Sequence, residues 1–142
     1  MNDDMLLLEN QLCFALVTAA RNIVSAYRPL LAPLGLTHPQ YLVMLALWER
    51  SPRSLTDLAD EIAMDPATAS PLVKRLESQG LLTRERRAGD ERRLDITLTD
   101  AGRELRTQAL DVPPQVAAAT GLSIDQLSAI RDALAPIAGR RG

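Results

Sequence analysis

Aromatic side chains are scarce in this sequence: its 142 residues include one Phe, one Trp and two Tyr. Leu and Ala are instead the most frequent residues. A core built from them favours packed α-helices over a β-sandwich, because strands are enriched in aromatic and β-branched residues. A chain of this length can bury about two thirds of its unfolded surface, which is enough for a core without disulfides. We therefore predict one mainly α-helical unit over residues 1–142.

Cysteine and histidine occur once each, as Cys13 and His38. A single cysteine excludes an intramolecular disulfide and a cysteine-based zinc site, and a single histidine removes most alternatives for a transition metal. The acidic start does not resemble a signal peptide, and the longest apolar stretches, residues 12–20 and 41–48, are far too short to span a membrane. We expect a cytoplasmic protein with no cofactor, no metal and no membrane partner.

A hydrophobic stripe at i+3/i+4 spacing predicts one long helix over residues 6–27, which Pro29 is expected to end. Thr37 is a suitable N-cap for a second helix over residues 38–50, with Pro39 in its first turn. That helix is apolar around most of its circumference, so we expect it at the centre of the core.

Two short helices separated by a tight turn are expected next. Ser54 or Thr56 is suited to cap the first of them, over residues 55–62. Asp65 is suited to cap the second, which starts with a proline and ends before Gly80.

A β-hairpin is then predicted from two strands, residues 81–86 and 93–98, joined by the charged turn 87–92. Beyond it, Thr99 is expected to cap another long helix, broken or bent at the consecutive prolines 113 and 114. Ser123 begins a capping box for the last helix, over residues 124–138.

This order of elements predicts a mainly α fold with a small β-hairpin wing, the winged helix-turn-helix. We assign the DNA-binding region to residues 37–99 and dimerisation helices to residues 5–36 and 100–142. These outer helices carry more apolar positions than one small winged-helix core can absorb, which predicts a homodimer.

Charge is distributed unevenly around the predicted helix-turn-helix. Residues 71–93 carry a net charge of +3, although the whole chain carries −2. A recognition helix fits the major groove of DNA, basic residues neutralise phosphates, and a wing can reach the minor groove. We expect the partner to be double-stranded DNA with a pseudo-palindromic operator. The predicted DNA-binding residues are Pro66, Ala67, Thr68, Ser70, Lys74, Arg75, Arg84, Arg86, Arg87, Asp90 and Arg92.

Four segments, residues 9–14, 27–31, 37–42 and 90–92, resemble the regulators of organic hydroperoxide resistance. These proteins are a branch of the multiple antibiotic resistance regulator (MarR) family. The resemblance covers residues 6 to about 110 and implies a six-helix winged-helix homodimer, held by its terminal helices, that represses a nearby gene. In this branch that gene usually encodes a thiol-dependent peroxidase.

The resemblance further implies that Cys13 is the oxidised sensor and that the Tyr27 hydroxyl hydrogen-bonds it. His38 stands where the branch often has a second tyrosine, and it retains the ability to donate a hydrogen bond. Val17 replaces an aromatic hydroxyl and cannot donate one. The implied partners are an organic hydroperoxide and a small thiol.

Geometry places a condition on this sensor. Cys13 and Tyr27 are 14 residues apart on one predicted helix, which is about 21 Å at 1.5 Å per residue. They can meet only across a two-fold axis, if paired first helices cross near Ala20. We therefore expect the sensor to be partly buried and built from both subunits.

Three other functions are compatible with parts of the pattern. A repressor released by a small aromatic or phenolic ligand would need no redox chemistry. A peroxidase would use Cys13 as its nucleophile, but the chain has no second cysteine to resolve the intermediate, so we do not expect an enzyme. An interaction scaffold would have no use for the arrangement of Thr68 and Arg92.

Overall fold

The computed structural model describes residues 3–139, apart from the side chains of Glu91 and Arg92. Within that range it contains seven α-helices, three strands and short 3₁₀ turns. The α-helices are α1 (Leu12–Leu31), α2 (His38–Glu49), α3 (Leu55–Glu61), α4 (Pro66–Ser78), α5 (Asp100–Ala109), α6 (Val112–Thr120) and α7 (Ile124–Leu134). The strands are β1 (Arg53–Ser54), β2 (Leu82–Arg87) and β3 (Asp90–Leu98).

The chain divides into two compact units. The central unit is Leu31–Leu110, and the terminal unit combines Met1–Leu30 with Asp111–Gly142. In the central unit an antiparallel sheet of order β1-β3-β2 packs with four helices. Helix α2 is buried on several sides, through residues such as Tyr41, Val43, Met44 and Leu47, as its uniformly apolar sequence predicts.

The first helix begins later than predicted. Residues Asp3–Leu6 and Leu8–Asn10 form 3₁₀ turns, and Gln11 is extended before α1 starts. The side-chain amide of Gln11 donates to the carbonyl oxygens of Met5 and Leu7, at 2.8 and 2.9 Å. Such side-chain bonds to the backbone compete with the helical pattern, which explains the shorter helix.

The prediction that Pro29 ends this helix was wrong, because α1 continues to Leu31. Proline removes the hydrogen bond to the carbonyl four residues earlier, here that of Ser25, and its ring crowds that carbonyl. Ser25 and Pro29 are both exposed, so water can hydrate that carbonyl and the helix can continue.

Each predicted helix N-cap is confirmed. The side chains of Thr37, Ser54, Asp65, Thr99 and Ser123 each accept a hydrogen bond from the backbone N–H three residues later. The sequence pattern therefore located the start of five helices correctly, and it is Ser54 that caps α3.

The wing is longer and its turn tighter than predicted. Strand β3 starts at Asp90 and β2 ends at Arg87, so only Ala88 and Gly89 form the turn. Gly89 has φ +85°, the left-handed conformation that such two-residue turns require. The charged residues at 90–92, expected in a loop, therefore extend a strand. Strand β1, which pairs Arg53 with Ile96, is too short to be visible in the sequence.

The long helix after the wing is interrupted at Leu110 and Asp111, just before the two prolines, which lie in the first turn of α6. Helix α7 ends at Leu134, four residues earlier than expected. Ala135 still has helical dihedral angles, but Pro136 has no N–H with which to continue the hydrogen-bond pattern. With α5 and α6 taken as the two parts of one interrupted helix, the six-helix winged fold is confirmed.

No single helix among the described residues has both the length and the apolar character needed to cross a membrane. One bent pair of helical segments, Leu12–Leu34 with His38–Glu49, meets these criteria only when its members are taken together.

Gly102 provides a stability test of the fold. A Cβ there would collide with the backbone carbonyl of Leu81 and press on Leu98, and the Gly102 carbonyl accepts a hydrogen bond from Trp48 Nε1 at 2.8 Å. We expect Gly102→Ala to lower the free energy of unfolding by about 1–3 kcal/mol, measured by urea denaturation. Ala normally favours a helix over Gly, so a stabilised variant would contradict this packing.

Candidate nucleic-acid interface and sensor residues

Helix α4 has one buried face and one outward face. Ala69, Val73 and Leu76, spaced by three and four residues, are fully buried against the central unit. Pro66, Ala67, Thr68, Lys74 and Arg75, all predicted to contact DNA, are exposed, and Ser70 is half-buried. The predicted recognition residues therefore share one accessible helix surface.

The first turn of α4 is fixed by its cap. Asp65 Oδ1 accepts a hydrogen bond from the Thr68 backbone N–H at 2.8 Å. Hydrogen bonds from that N–H and from the Thr68 hydroxyl hold the pKa of Asp65 below its usual range. The Thr68 hydroxyl lies on this exposed first turn, and its oxygen can accept a hydrogen bond from a base amino group.

A tight turn sets the geometry between α3 and α4. Ala63 adopts φ +58°, and the Met64 N–H donates to the Ala59 carbonyl at 2.9 Å. This closure of α3 resembles a Schellman motif, in which glycine usually takes the left-handed position. The turn brings the Asp65 cap directly after the end of α3.

A buried arginine anchors α3. Arg53 Nε donates to Asp57 Oδ2 at 2.8 Å, its Nη1 donates to the Ala46 carbonyl at 3.0 Å, and its Nη2 lies 3.5 Å from Glu61 Oε2. Only 5% of the Arg53 side chain is exposed. The hydrogen bond from Arg53 lowers the pKa of Asp57, assisted by Arg50. Sequence reasoning missed this group, although the i,i+4 spacing of Arg53 and Asp57 was a usable signal.

The wing is attached to the recognition helix by a second ion pair. Arg84 Nε and Nη2 lie 3.1 and 3.0 Å from Glu77 Oε1, and the Arg84 backbone N–H donates to Glu77 Oε2 at 3.1 Å. The Arg84 side-chain hydrogen bond lowers the pKa of Glu77. Arg84, predicted to bind phosphate, therefore also positions β2 against α4, and Glu77 is a partner that sequence reasoning missed.

Farther along the wing, Asp95 pairs with two arginines. Its Oδ2 lies 3.2 Å from Arg87 Nε, and its Oδ1 lies 3.7 Å from Arg93 Nε. Arg86 and Asp90 are exposed. Arg92, predicted at the wing tip, lies on β3, but its side chain is outside the described residues.

The three predicted sensor residues occupy different positions. Cys13 is exposed in the first turn of α1, and Tyr27 is half-buried near its end, where burial raises its pKa. His38 belongs to the central unit, where it begins α2. Burial lowers the pKa of His38, so the neutral imidazole is favoured at pH 7, and its ring lies 6.5 Å from that of Tyr41.

Tyr27 also lines a groove that sequence reasoning did not find. This Tyr27 groove lies within the terminal unit and has a volume of about 750 Å³. Its walls are mostly apolar, and its lining includes Ala19, Asn22, Ile23, Ala26, Tyr27, Val116, Ala119, Leu127, Ile130, Arg131 and Leu134.

Comparison with known proteins adds to this geometry. The sequence pattern of the MarR family matches residues 36–94. The organic hydroperoxide resistance transcriptional regulator of Bacillus subtilis is 39% identical over 131 residues, covering 92% of this chain and 89% of that protein. The transcriptional regulator TtmR of Methylorubrum extorquens is 44% identical over 133 residues, covering 94% of this chain and 68% of that protein.

Solved structures agree with the sequence comparison. Reduced AbfR bound to DNA, a protein also solved from Staphylococcus epidermidis, superposes with a TM-score of 0.79 at 33% identity, covering 98% of this chain and 97% of that one. The repressor CouR on a 23-mer DNA duplex superposes with a TM-score of 0.84 at 28% identity, covering 97% and 99%. CouR from Rhodococcus jostii has also been solved with p-coumaroyl-CoA. Fold, exposed recognition helix and relatives together show that this chain belongs to the MarR family of DNA-binding transcriptional regulators.

Proposed function

We propose that the chain is a homodimeric repressor that senses organic hydroperoxides through Cys13 and then releases its operator. The observation that carries this proposal is the exposed thiol at the start of α1, in a chain similar over most of its length to a regulator of organic hydroperoxide resistance. The function is regulation, not turnover, since one oxidation event per chain is sufficient.

DNA recognition is assigned to α4 and the wing. The N-terminal turn of α4 enters the major groove, where Thr68 meets base edges. Lys74 and Arg75 neutralise phosphates, and Arg92 reaches into the minor groove. Two copies related by a two-fold axis place two such helices on the half-sites of a pseudo-palindromic operator.

The sensor is assigned to both subunits. Cys13 and Tyr27 are separated by about 21 Å along α1, so each thiol uses the hydroxyl of the partner's Tyr27 as a hydrogen-bond donor. His38 supplies a second donor as a neutral imidazole. Association would also give Cys13 the partial burial that a single protomer lacks.

The chemistry balances with one hydroperoxide and one small thiol. The Cys13 sulfur attacks the terminal oxygen of the hydroperoxide, the O–O bond breaks, and the alcohol leaves, so that cysteine is oxidised to sulfenic acid. A small thiol then condenses with the sulfenic acid, forming a mixed disulfide and water. The adduct no longer fits beside Tyr27, so the subunits rotate and the recognition helices lose their half-site spacing.

A repressor released by a small aromatic ligand is the second candidate. The similarity to CouR, which has been solved with p-coumaroyl-CoA, favours it. Loss of DNA binding by a Cys13→Ser protein on addition of an aromatic acid would support this alternative.

Substitutions on α4 separate base recognition from phosphate binding. We expect Thr68→Ala to weaken sequence discrimination by about 1–3 kcal/mol, because a base contact is lost. Lys74→Ala should instead weaken binding to all sequences. It should also reduce the slope of log binding constant against log salt concentration by about one, because one fewer counterion is released. Titrations of operator and unrelated duplexes at several salt concentrations measure both effects. Unchanged binding in both variants would place the DNA surface elsewhere.

Substitutions on α1 test the sensor. We expect Cys13→Ser to bind DNA and to remain bound after treatment with cumene hydroperoxide and a small thiol. Tyr27→Phe should bind DNA but respond more slowly, since the thiolate loses a donor. Mass spectrometry of the treated wild-type protein should show one adduct per chain, on Cys13. Release of the serine variant by peroxide would contradict the redox mechanism.

His38 predicts a pH dependence of stability. Burial lowers the pKa of His38 in the folded protein, whereas an unfolded chain keeps the ordinary value of about 6.5. At pH values between these two, the unfolded chain binds more protons than the folded protein. The free energy of unfolding should therefore fall as pH drops below about 6.5, and His38→Gln should lose this dependence. Urea denaturation from pH 7.5 to 5.5 measures it, and identical curves for the two proteins would refute the assignment.

A further inference from the structure

A proline lies in the middle of the exposed face of helix α4. Pro71 is inside this helix, which continues past it without a break to Ser78. Ala69, Val73 and Leu76 form the buried face. A rotation of about 100° per residue places Pro71 almost opposite them. Pro71 is itself exposed, so it fills no position in the core.

Proline at this position destabilises the helix. It has no N–H, so the carbonyl of Ala67, four residues earlier, lacks the partner that an α-helix normally provides. The ring of Pro71 also crowds that carbonyl, which favours a tilt of the carbonyl away from the helix axis. Alanine would be a far better helix former at this exposed position. Because local folding rules are broken most often at functional sites, this cost favours a functional role for Pro71.

The carbonyl of Ala67 is a hydrogen-bond acceptor on the surface proposed to face DNA. Ala67 is exposed and lies about one turn before Pro71 on the same face. Its neighbours Thr68 and Ser70 are small, and the first long side chain on this face is that of Lys74. Bases can therefore approach the backbone of α4 more closely here than at its later turns.

An acceptor beside an apolar ring matches one kind of base pair. In the major groove an A·T pair presents the adenine amino group, which donates a hydrogen bond, and the thymine methyl group, which favours apolar contact. A G·C pair presents the amino group of cytosine but no methyl group. The carbonyl of Ala67 and the ring of Pro71 together can therefore distinguish an A·T pair from a G·C pair.

We propose that Pro71 is a base-reading residue. Its ring contacts a thymine methyl group, and the Ala67 carbonyl that it releases accepts a hydrogen bond from the adenine of the same pair. This inference rests on the assignment of DNA recognition to α4 in the proposed function. Because neither group is charged, the contact contributes to sequence discrimination and not to phosphate binding.

Pro71→Ala tests this role, because stability and DNA reading should change in opposite directions. Alanine restores the N–H, so the Ala67 carbonyl returns to the helix and the urea midpoint should rise. Affinity for a duplex that the wild-type protein selects from a random pool should nevertheless fall by about tenfold or more. Affinity for unrelated duplexes should stay the same.

Pro29→Ala is the matched control. Pro29 also lies inside a helix and is exposed, and its replacement restores the same kind of hydrogen bond, to the carbonyl of Ser25. This variant should leave the affinities for the selected and the unrelated duplexes unchanged.

Single-group changes in the selected duplex identify the contact. Deoxyuridine in place of thymine removes only the methyl group, and deoxynebularine in place of adenine removes only the amino group. At one A·T pair of a half-site, the wild-type protein should lose about fourfold in affinity from the first change. The second change should cost about two- to tenfold. Pro71→Ala should bind modified and unmodified duplexes with nearly equal affinity, and because both proteins meet the same DNA, the comparison is independent of duplex stability.

Several results would overturn the inference. A lower urea midpoint for Pro71→Ala would mean that the proline supports the fold. Unchanged affinity for the selected duplex, an equal loss on unrelated duplexes, an equal loss in Pro29→Ala, or a wild-type protein insensitive to both base changes would also exclude base reading by Pro71. If Thr68→Ala and Lys74→Ala leave DNA binding unchanged too, the assignment of recognition to α4 fails with it. If those two variants act and Pro71→Ala does not, the reading by Pro71 fails alone.

Discussion

The buried guanidinium of Arg53 holds the helix-turn-helix in place. It joins the α2 carbonyl of Ala46 to Asp57 and Glu61 of α3, while its own strand pairs with β3 of the wing. One charged group thereby connects the central helix, the first helix of the motif and the sheet. Asp57 keeps its charge through the lowered pKa, so this connection weakens only when the pH falls below about 4 and through that pKa.

The residues proposed to contact DNA differ in whether they also make ion pairs within the fold. Arg84 donates hydrogen bonds to Glu77, and Arg87 and Arg93 both form ion pairs with Asp95. These pairs neutralise part of the basic cluster and fix the direction of the wing. Lys74 and Arg75 lie on the exposed face of α4, where a phosphate can approach them. A count of basic residues alone therefore overstates the charge available to DNA.

Local signals in the sequence were sufficient for most of the fold, and context decided the rest. The caps at Thr37 and Asp65 depend only on the side chain of the capping residue and on the backbone N–H three positions later. The local sequence therefore identifies them. Pro29 was misjudged because its effect depends on whether a carbonyl can reach water. The exposed face of α4 followed from helical spacing. The i,i+4 spacing of Arg53 and Asp57 was also readable, but the contact of Arg84 with Glu77 joins a strand to a helix and appears only once the chain has folded.

The two units differ in how well they bury their own apolar residues. Among the described residues, the terminal unit fully buries only Val112, Val116 and Ala117, whereas it exposes most of the large apolar side chains at the surface. Because exposed apolar area favours association, the proposed homodimer would supply much of the packing that this unit lacks. The proposed sensor on α1 would then act on the unit that buries less of its own apolar surface. In the proposed dimer, a group added there would change how the two subunits pack, while the central unit, with its own core and the Arg53 ion pairs, would keep α4 in place.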